Sequence, residues 1–423
     1  MGQTWRILTA LILGIALGTG WGWVRGPGLD STVPIAELTG GLWLDGLRMT
    51  IIPLVVALLV TGIARTADSA REGNLALRSV LVFVCLLWLS TAIAAVLIPG
   101  LLALSPIPTE AAAALREGLA RSHDKVTAAP GVLAFLRSIV PTNPVAAAAN
   151  DALLPLIVFT TVFALAVTRL PAGHREMLTG FFGAIADAML VIVGWVLWLA
   201  PIGVFALAFT VGVHAGTSAI GALLHYIMIV SAAGLAAWGL AYPVAVFGGG
   251  LSLPRFARAA IPAQAVALST QSSLASLPSM LKGTELLGVP AGVASVSLPI
   301  AVAIFRVTSP AMNLAVVIYI AHWFGIPLAP ATIATGAVVA AITTIGSVSL
   351  PGQVSFLTSI TPIAVSMGVP IEPLALLIAV EMVPDLVRTV GNVTMDIAAT
   401  AAIARSVRHR AGSQHDPVTN APD

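Results

Sequence analysis

The sequence predicts an all-α integral membrane protein of eight transmembrane helices and two re-entrant helical hairpins. Three observations carry that expectation. Hydrophobic residues make up 58% of the 423-residue chain and charged residues only 9%, against about 25% charged in an ordinary soluble domain. No soluble core absorbs that much apolar surface, so the chain must cross a membrane many times. The apolar stretches are long and continuous, without the alternating ten-residue pattern of a barrel, which leaves helices as the way to satisfy the backbone in lipid. Finally, arginine clusters punctuate the stretches, and two stretches carry Ser-rich, Pro-broken tips in their middles.

The first span is read at 7–24. Arg6 ahead of an apolar run resembles a signal peptide, but the run continues through Trp21 and Trp23 with no clear small-x-small cleavage site. Further spans fall at 42–64, 79–104, 146–169, 177–212 and 218–247. Arg65, Arg71 and Arg78 follow the second, Arg169 and Arg175 the fourth, Arg255 and Arg258 the sixth, and Arg405, Arg408 and Arg410 close the chain. If every segment crosses once, all of these and Arg6 share one side, the cytoplasmic one, and both termini lie there. The mixed-charge segment 106–138 then lies on the opposite side, residues 407–423 form a cytoplasmic tail, and its polar part after Arg410 is expected to be disordered. Cys85 is the single cysteine, so an intrachain disulfide and a cysteine-based metal site are excluded.

Parity constrains the remainder, because the chain must cross an even number of times between Arg258 and Arg405. Four apolar stretches lie there. One contains the polar tip Ser269 to Pro278, the other Thr343 to Gly352. Non-helical backbone at membrane depth is tolerated only inside protein or beside a water-filled cavity. These two are therefore read as hairpins, at about 254–284 and 330–368, and the other two as spans, at about 288–320 and 371–404. Close packing of helices through Ser and Gly is the plainer reading of the tips, and a third Ser-Leu-Pro at Ser297 to Pro299 shows that the tripeptide alone is a weak sign. Paired broken segments nonetheless point to an inverted-repeat carrier with its site between the tips.

The last span carries the strongest mark of a site. Glu381, Asp385, Arg388, Asn392 and Asp396 are spaced by four, three, four and four residues, which places them within roughly 80° of arc on one helix. Ionisable groups in a membrane helix persist mainly where they pair or line a polar path. Arg388 offers a planar fork suited to a carboxylate, and Glu381 and Asp385 are both within helical reach for an internal salt bridge instead. Pro384 is expected to kink this helix.

These residues resemble the dicarboxylate/amino acid:cation symporter family of glutamate transporter homologues over about residues 5–405. The resemblance rests on Ile139-Val-Pro-Thr-Asn-Pro144, on Ala200-Pro-Ile-Gly-Val-Phe-Ala-Leu207, on the two Ser-rich tips, and on Arg388-Thr389, Asn392-Val393-Thr394 and Asp396. It implies an elevator-type secondary transporter in a cell's inner (plasma) membrane, assembled as a homotrimer and surrounded by lipid. Residues 1–77 and 139–212 would form the scaffold, and residues 78–105 and 213–406 the transport domain. The implied substrate is a small anion, either an acidic amino acid (aspartate or glutamate) or a C4-dicarboxylate. No enzymatic activity, nucleic-acid partner or cofactor is implied beyond Na⁺ or H⁺ as coupling ion.

By the same resemblance Arg388 holds the substrate's side-chain carboxylate and Asp385 an ammonium group. Thr389, Asn392, Ser272, Ser273, Ser309, Pro351 and Gly352 complete the substrate site. Asp396, Glu381, Ser347 and Thr308 belong with the coupling cation, and Asp396 with Asn392 is the candidate residual sodium site. Gln271 stands where some relatives have arginine. The seventh span departs most. The family's Asn-Met-Asp-Gly-Thr reads here Phe305-Arg306-Val307-Thr308-Ser309. Phe305 and Val307 offer no side-chain oxygen to a hard cation, while Ser90 and Thr91 remain as hydroxyl ligands. Arg306 is read as a fixed positive charge in place of bound sodium, neutralising Asp396 or Glu381 or touching the substrate, with snorkelling to water as the alternative. Sodium dependence should then be reduced or absent. Proton coupling through Glu381 is the alternative, and an uncoupled channel, an exchanger or a substrate sensor on the same fold the rival.

Overall fold

The computed structural model describes residues 3–24, 29–71, 74–107, 140–150, 152–215, 218–346 and 352–413. Every regular element among them is helical. In chain order they are α1 (Gln3–Val24), α2 (Leu29–Arg71), α3 (Asn74–Leu104), α4 (Pro144–Ala149), α5 (Leu153–Val167), α6 (Ala172–Trp198), α7 (Ala200–Ala215) and α8 (Ser218–Gly239). Helix α8 continues through the turn Ala241–Pro243 into a π-turn, Val244–Gly248. Then come α9 (Leu253–Thr270), α10 (Ser273–Leu286), α11 (Ala291–Ile304), α12 (Thr308–Phe324), α13 (Pro330–Gly346) and α14 (Gly352–Ser366). A short turn, Leu374–Leu377, precedes α15 (Met382–Ser413). Among the described residues, five stretches are long and apolar enough to cross a membrane: Thr32–Ala67, Asn74–Leu104, Ala172–Trp198, Ile220–Gly248 and Ala291–Phe324. Shorter apolar helices supply the rest of the bundle.

The expected spans 146–169, 177–212, 288–320 and 371–404 are each interrupted. The fourth divides into α4 and α5. The fifth breaks at Leu199, where Pro201 follows, because proline removes a helical N–H and its ring crowds the preceding turn. The seventh breaks at Phe305, whose backbone is extended (φ −107°, ψ 103°). Pro310, in the first turn of α12, has no N–H to offer the Arg306 carbonyl; Ser309 N takes that acceptor at 3.0 Å instead. The eighth begins as regular helix only at Met382, so Glu381 stands just ahead of it, with its carbonyl accepting from Asp385 N at 2.9 Å. Pro384 therefore lies in the first turn of α15, where proline fits without kinking. At the other end α15 runs on through Ser413, so the tail expected to be disordered after Arg410 is helical for its first three residues.

Helix α1 lies along α7 in backbone contact. A Cβ added at Gly18 would sit 2.1 Å from the Phe209 carbonyl oxygen, and one at Gly14 would sit 2.7 Å from that of Phe205. Small residues one turn apart let membrane helices approach this closely. Trp43 of α2 donates its indole N–H to the Val196 carbonyl of α6 at 2.8 Å, and so ties those two helices.

The buried apolar residues gather mainly in two clusters. One takes in α1, α2, α5, α6, α7, α8, α12, α13 and α14; the other α9, α10, α11 and most of α15, with α3 shared between them. Helices α9 and α10 pack on each other and on α15, and α13 and α14 pack on each other and on α12. The first pair forms the hairpin expected at 254–284. The tip expected between α13 and α14 lies at 347–351, outside the described residues. The polar residues of the last helix lie where the two apolar clusters meet, between Ala379 of the first and Val390, Val393 and Ile397 of the second.

Candidate functional site

Arg388 is the hub. Its Nη2 meets Glu381 Oε1 at 2.5 Å, its Nη1 donates to Asn313 Oδ1 of α12 at 2.7 Å, and its Nε lies 3.5 Å from Asp385 Oδ1. The other oxygen of Glu381 accepts from the Tyr226 hydroxyl of α8 at 3.0 Å. Glu381 and Tyr226 are buried, and Arg388 and Asp385 partly so. Of the two readings of Arg388, this structure displays the internal ion pair, with both terminal nitrogens held.

One turn on, Asn392 seals the break in the seventh span. Its Oδ1 accepts from Thr308 N at 3.0 Å and lies 2.8 Å from Thr308 Oγ1. Thr308 Oγ1 is also 2.9 Å from the Arg388 carbonyl. The approach depends on Gly391, where a Cβ would lie 2.6 Å from Thr308 Cγ2. From α3, Ser90 Oγ donates to the Val307 carbonyl at 2.6 Å. Ser90 is therefore occupied by the opened backbone, and Thr91 Oγ1 donates to the Leu87 carbonyl of its own helix.

Asp396 is fully buried, and among the described residues neither of its carboxylate oxygens has a hydrogen-bond partner. Thr400 Oγ1, one turn further along the same face, is likewise without one. Burying an isolated carboxylate is among the costliest arrangements in a protein. Arg306, half-buried in the break, lies within electrostatic reach of Asp396, Asp385 and Arg388.

The remaining predicted residues divide. Thr389 is buried, with its hydroxyl on the Asp385 carbonyl at 2.9 Å, and Ser309 is buried at the start of α12. Ser272 caps α10, accepting from Ala275 N at 3.2 Å, and Ser273 is that helix's first residue. Gln271, just before it, adopts the left-handed conformation (φ 51°). Gln264 of α9 donates to Thr394 Oγ1 at 2.9 Å and ties the first hairpin to α15. Ser347 and Pro351 lie outside the described residues, and Gly352 opens α14.

Sequence reasoning missed Tyr226 and Asn313. Asn313 carried a readable signal, being a lone amide inside an otherwise apolar run. Tyr226 carried none, because tyrosine is common in cores and its partner lies 155 residues away.

A bundle of membrane-crossing helices around a buried cluster of three acids and two arginines defines a membrane transport protein with a charged internal site. The chain belongs to the sodium:dicarboxylate symporter family, whose model matches residues 4–406, and this is a family of transporters, not of enzymes. It is 28% identical to a proton/glutamate-aspartate symporter of Escherichia coli over 95% of this chain and 92% of that protein. It is equally 28% identical to a proton/sodium-glutamate symport protein of Bacillus subtilis, over 96% and 92%. A C4-dicarboxylate transport protein of Anaeromyxobacter is 27% identical over 95% and 90%.

Proposed function

We propose that the chain is a symporter for an acidic amino acid or a C4-dicarboxylate, coupled to protons through Glu381 and with little or no need for sodium. The observation that carries this reading is the buried contact between Arg388 and Glu381. Arg388 is the natural seat for a substrate carboxylate, and Glu381 now fills that seat. Substrate and ionised Glu381 compete for one guanidinium, so a proton on Glu381 frees the arginine for the substrate. A proton and an anion then travel together, which is the requirement for symport. The names of relatives in Escherichia coli and Bacillus subtilis both include a proton, which supports the proton coupling, and the Bacillus subtilis name includes sodium as well.

Asp385 is assigned to a substrate ammonium, which favours aspartate or glutamate over succinate. The amide nitrogen of Asn392, with Thr389, Ser309, the first-hairpin residues Ser272 and Ser273, and the tip residues Pro351 and Gly352, would enclose the carboxylates. Arg306 supplies fixed positive charge beside Asp396 where relatives of the family pattern hold a cation. Ser347 and Thr308 remain assigned to the coupling site. The scaffold and transport-domain division, the elevator movement, the trimer and the cytoplasmic termini are part of the same proposal. Substitution of Glu381 by Gln in purified protein reconstituted in liposomes tests it. Accumulation driven by a pH gradient should disappear while exchange of internal for external substrate continues. Undiminished pH-driven accumulation in that variant would sink the reading, and flux without saturation would favour an uncoupled channel.

A further inference from the structure

Tyr226 lies outside every role assigned above. It is wholly buried, and its hydroxyl donates to Glu381 Oε2 while Arg388 holds Oε1. Its ring is fixed from behind by Tyr319 of α12, in an edge-to-face contact with centroids 5.4 Å apart. Tyr319 is in turn anchored, donating to the Ala222 carbonyl at 2.9 Å and lying 3.2 Å from His225 Nδ1. The phenol is thus aimed by packing from a different helix than the one it serves.

We infer that Tyr226 is a latch: it holds Glu381 on Arg388 and so sets how readily a substrate anion takes the arginine. The inference rests on the competition proposed above. A phenol O–H that donates to a carboxylate oxygen stabilises the charged form of that group, the form that occupies Arg388. The ionisable groups facing Glu381 are Arg388 and Asp385 from α15 and Tyr226 from α8, with Tyr319 of α12 behind the phenol. Arg388 attracts the carboxylate and Asp385 repels it; Tyr226 alone of these adds a neutral donor, so it adjusts the balance without changing the charge of the site. Tyr226 is a positioning residue, since its hydroxyl touches Glu381 and not the substrate's place on Arg388.

The test is uptake of L-aspartate, L-glutamate and succinate into liposomes by wild type and Tyr226→Phe at pH 8 and pH 5.5. Loss of a hydrogen bond to a charged group corresponds to about a tenfold change in an equilibrium constant. KM for the transported anion should therefore fall about tenfold in Tyr226→Phe at pH 8 and converge with wild type at pH 5.5. Tyr226→Met, which also lacks a hydroxyl, provides a second measurement should the first variant fold poorly. Tyr319→Phe keeps the ring contact and should not reproduce the pH-selective fall. In a Glu381→Gln background Tyr226→Phe should have no further effect on KM. An unchanged or raised KM at pH 8 in both Tyr226 variants overturns the latch. If wild-type KM proves the same at both pH values, proton coupling through Glu381 fails, while the pH 8 comparison of wild type with Tyr226→Phe still decides the latch.

Discussion

Thr308 delivers both its backbone N–H and its hydroxyl to the side-chain oxygen of Asn392, at 3.0 and 2.8 Å. The seventh span is open at 305–307, and the last helix closes it from the side. A single amide thus does for α12 what a capping side chain does for an ordinary helix start, except that it comes from 84 residues away.

Replacing Asn392 with Ala should therefore destabilise the fold as well as any bound substrate. It leaves the buried Thr308 N–H without an acceptor, at a cost of about 1–3 kcal/mol. Thermal unfolding of purified protein in detergent, without substrate, reads the effect. An unchanged midpoint would show that the amide matters only to ligand.

Arg388→Lys keeps the charge but removes the planar fork that reaches Glu381 and Asn313 together. A lysine presents a compact ammonium in place of two parallel donors. KM for the transported anion should rise at least about tenfold, with protein yield and oligomeric state preserved. Near-normal KM in this variant would place the substrate carboxylate elsewhere.

Arg306 bears on sodium. Replacing sodium by choline on both sides of the liposome membrane should leave the initial rate of uptake unchanged in wild type, because Phe305 and Val307 bring no side-chain oxygen to the site. Steep dependence of the rate on sodium would mean that backbone carbonyls and Asp396 suffice for a cation despite the arginine.

Gly18→Leu drives a side chain into the Phe209 carbonyl. Overpacking of this kind costs about 1–3 kcal/mol and occasionally more, and here the obstacle is backbone that has little room to yield. Lower thermal stability is expected, with KM of the remaining folded protein unaltered, since α1 contributes none of the residues placed at the site.

The sequence made the helical membrane class, the first hairpin and most of the charged cluster legible. Those follow from hydropathy, parity and the spacing of Glu381 to Asp396, all of which are local properties. The breaks at Leu199 and Phe305 were not read, although Pro201 and Pro310 stood beside them, because long apolar runs contain many prolines that helices absorb in their first turns, as α15 absorbs Pro384. The partners within the site were the least legible. Arg388 had two acids in helical reach, and the structure uses both while adding Asn313 from another span. Tyr226 is joined to Glu381 only by the crossing of α8 and α15, a relationship that periodicity along one chain does not encode.

The buried cluster also fixes an electrical constraint. With Glu381, Asp385 and Asp396 ionised against Arg306 and Arg388, the empty site carries one net negative charge. An amino-acid monoanion makes that two. Moving a doubly charged assembly through hydrocarbon is strongly opposed, whereas two monovalent cations make it neutral. Glu381 offers a place for the first, and Asp396, whose carboxylate has no hydrogen-bond partner among the described residues and faces Arg306, a place for the second. If both are filled on loading, the loaded site crosses with no net charge, and the empty one returns carrying a single negative charge. That return leg alone would then sense membrane voltage, and reversal-potential measurements in liposomes would read one elementary charge moved per cycle.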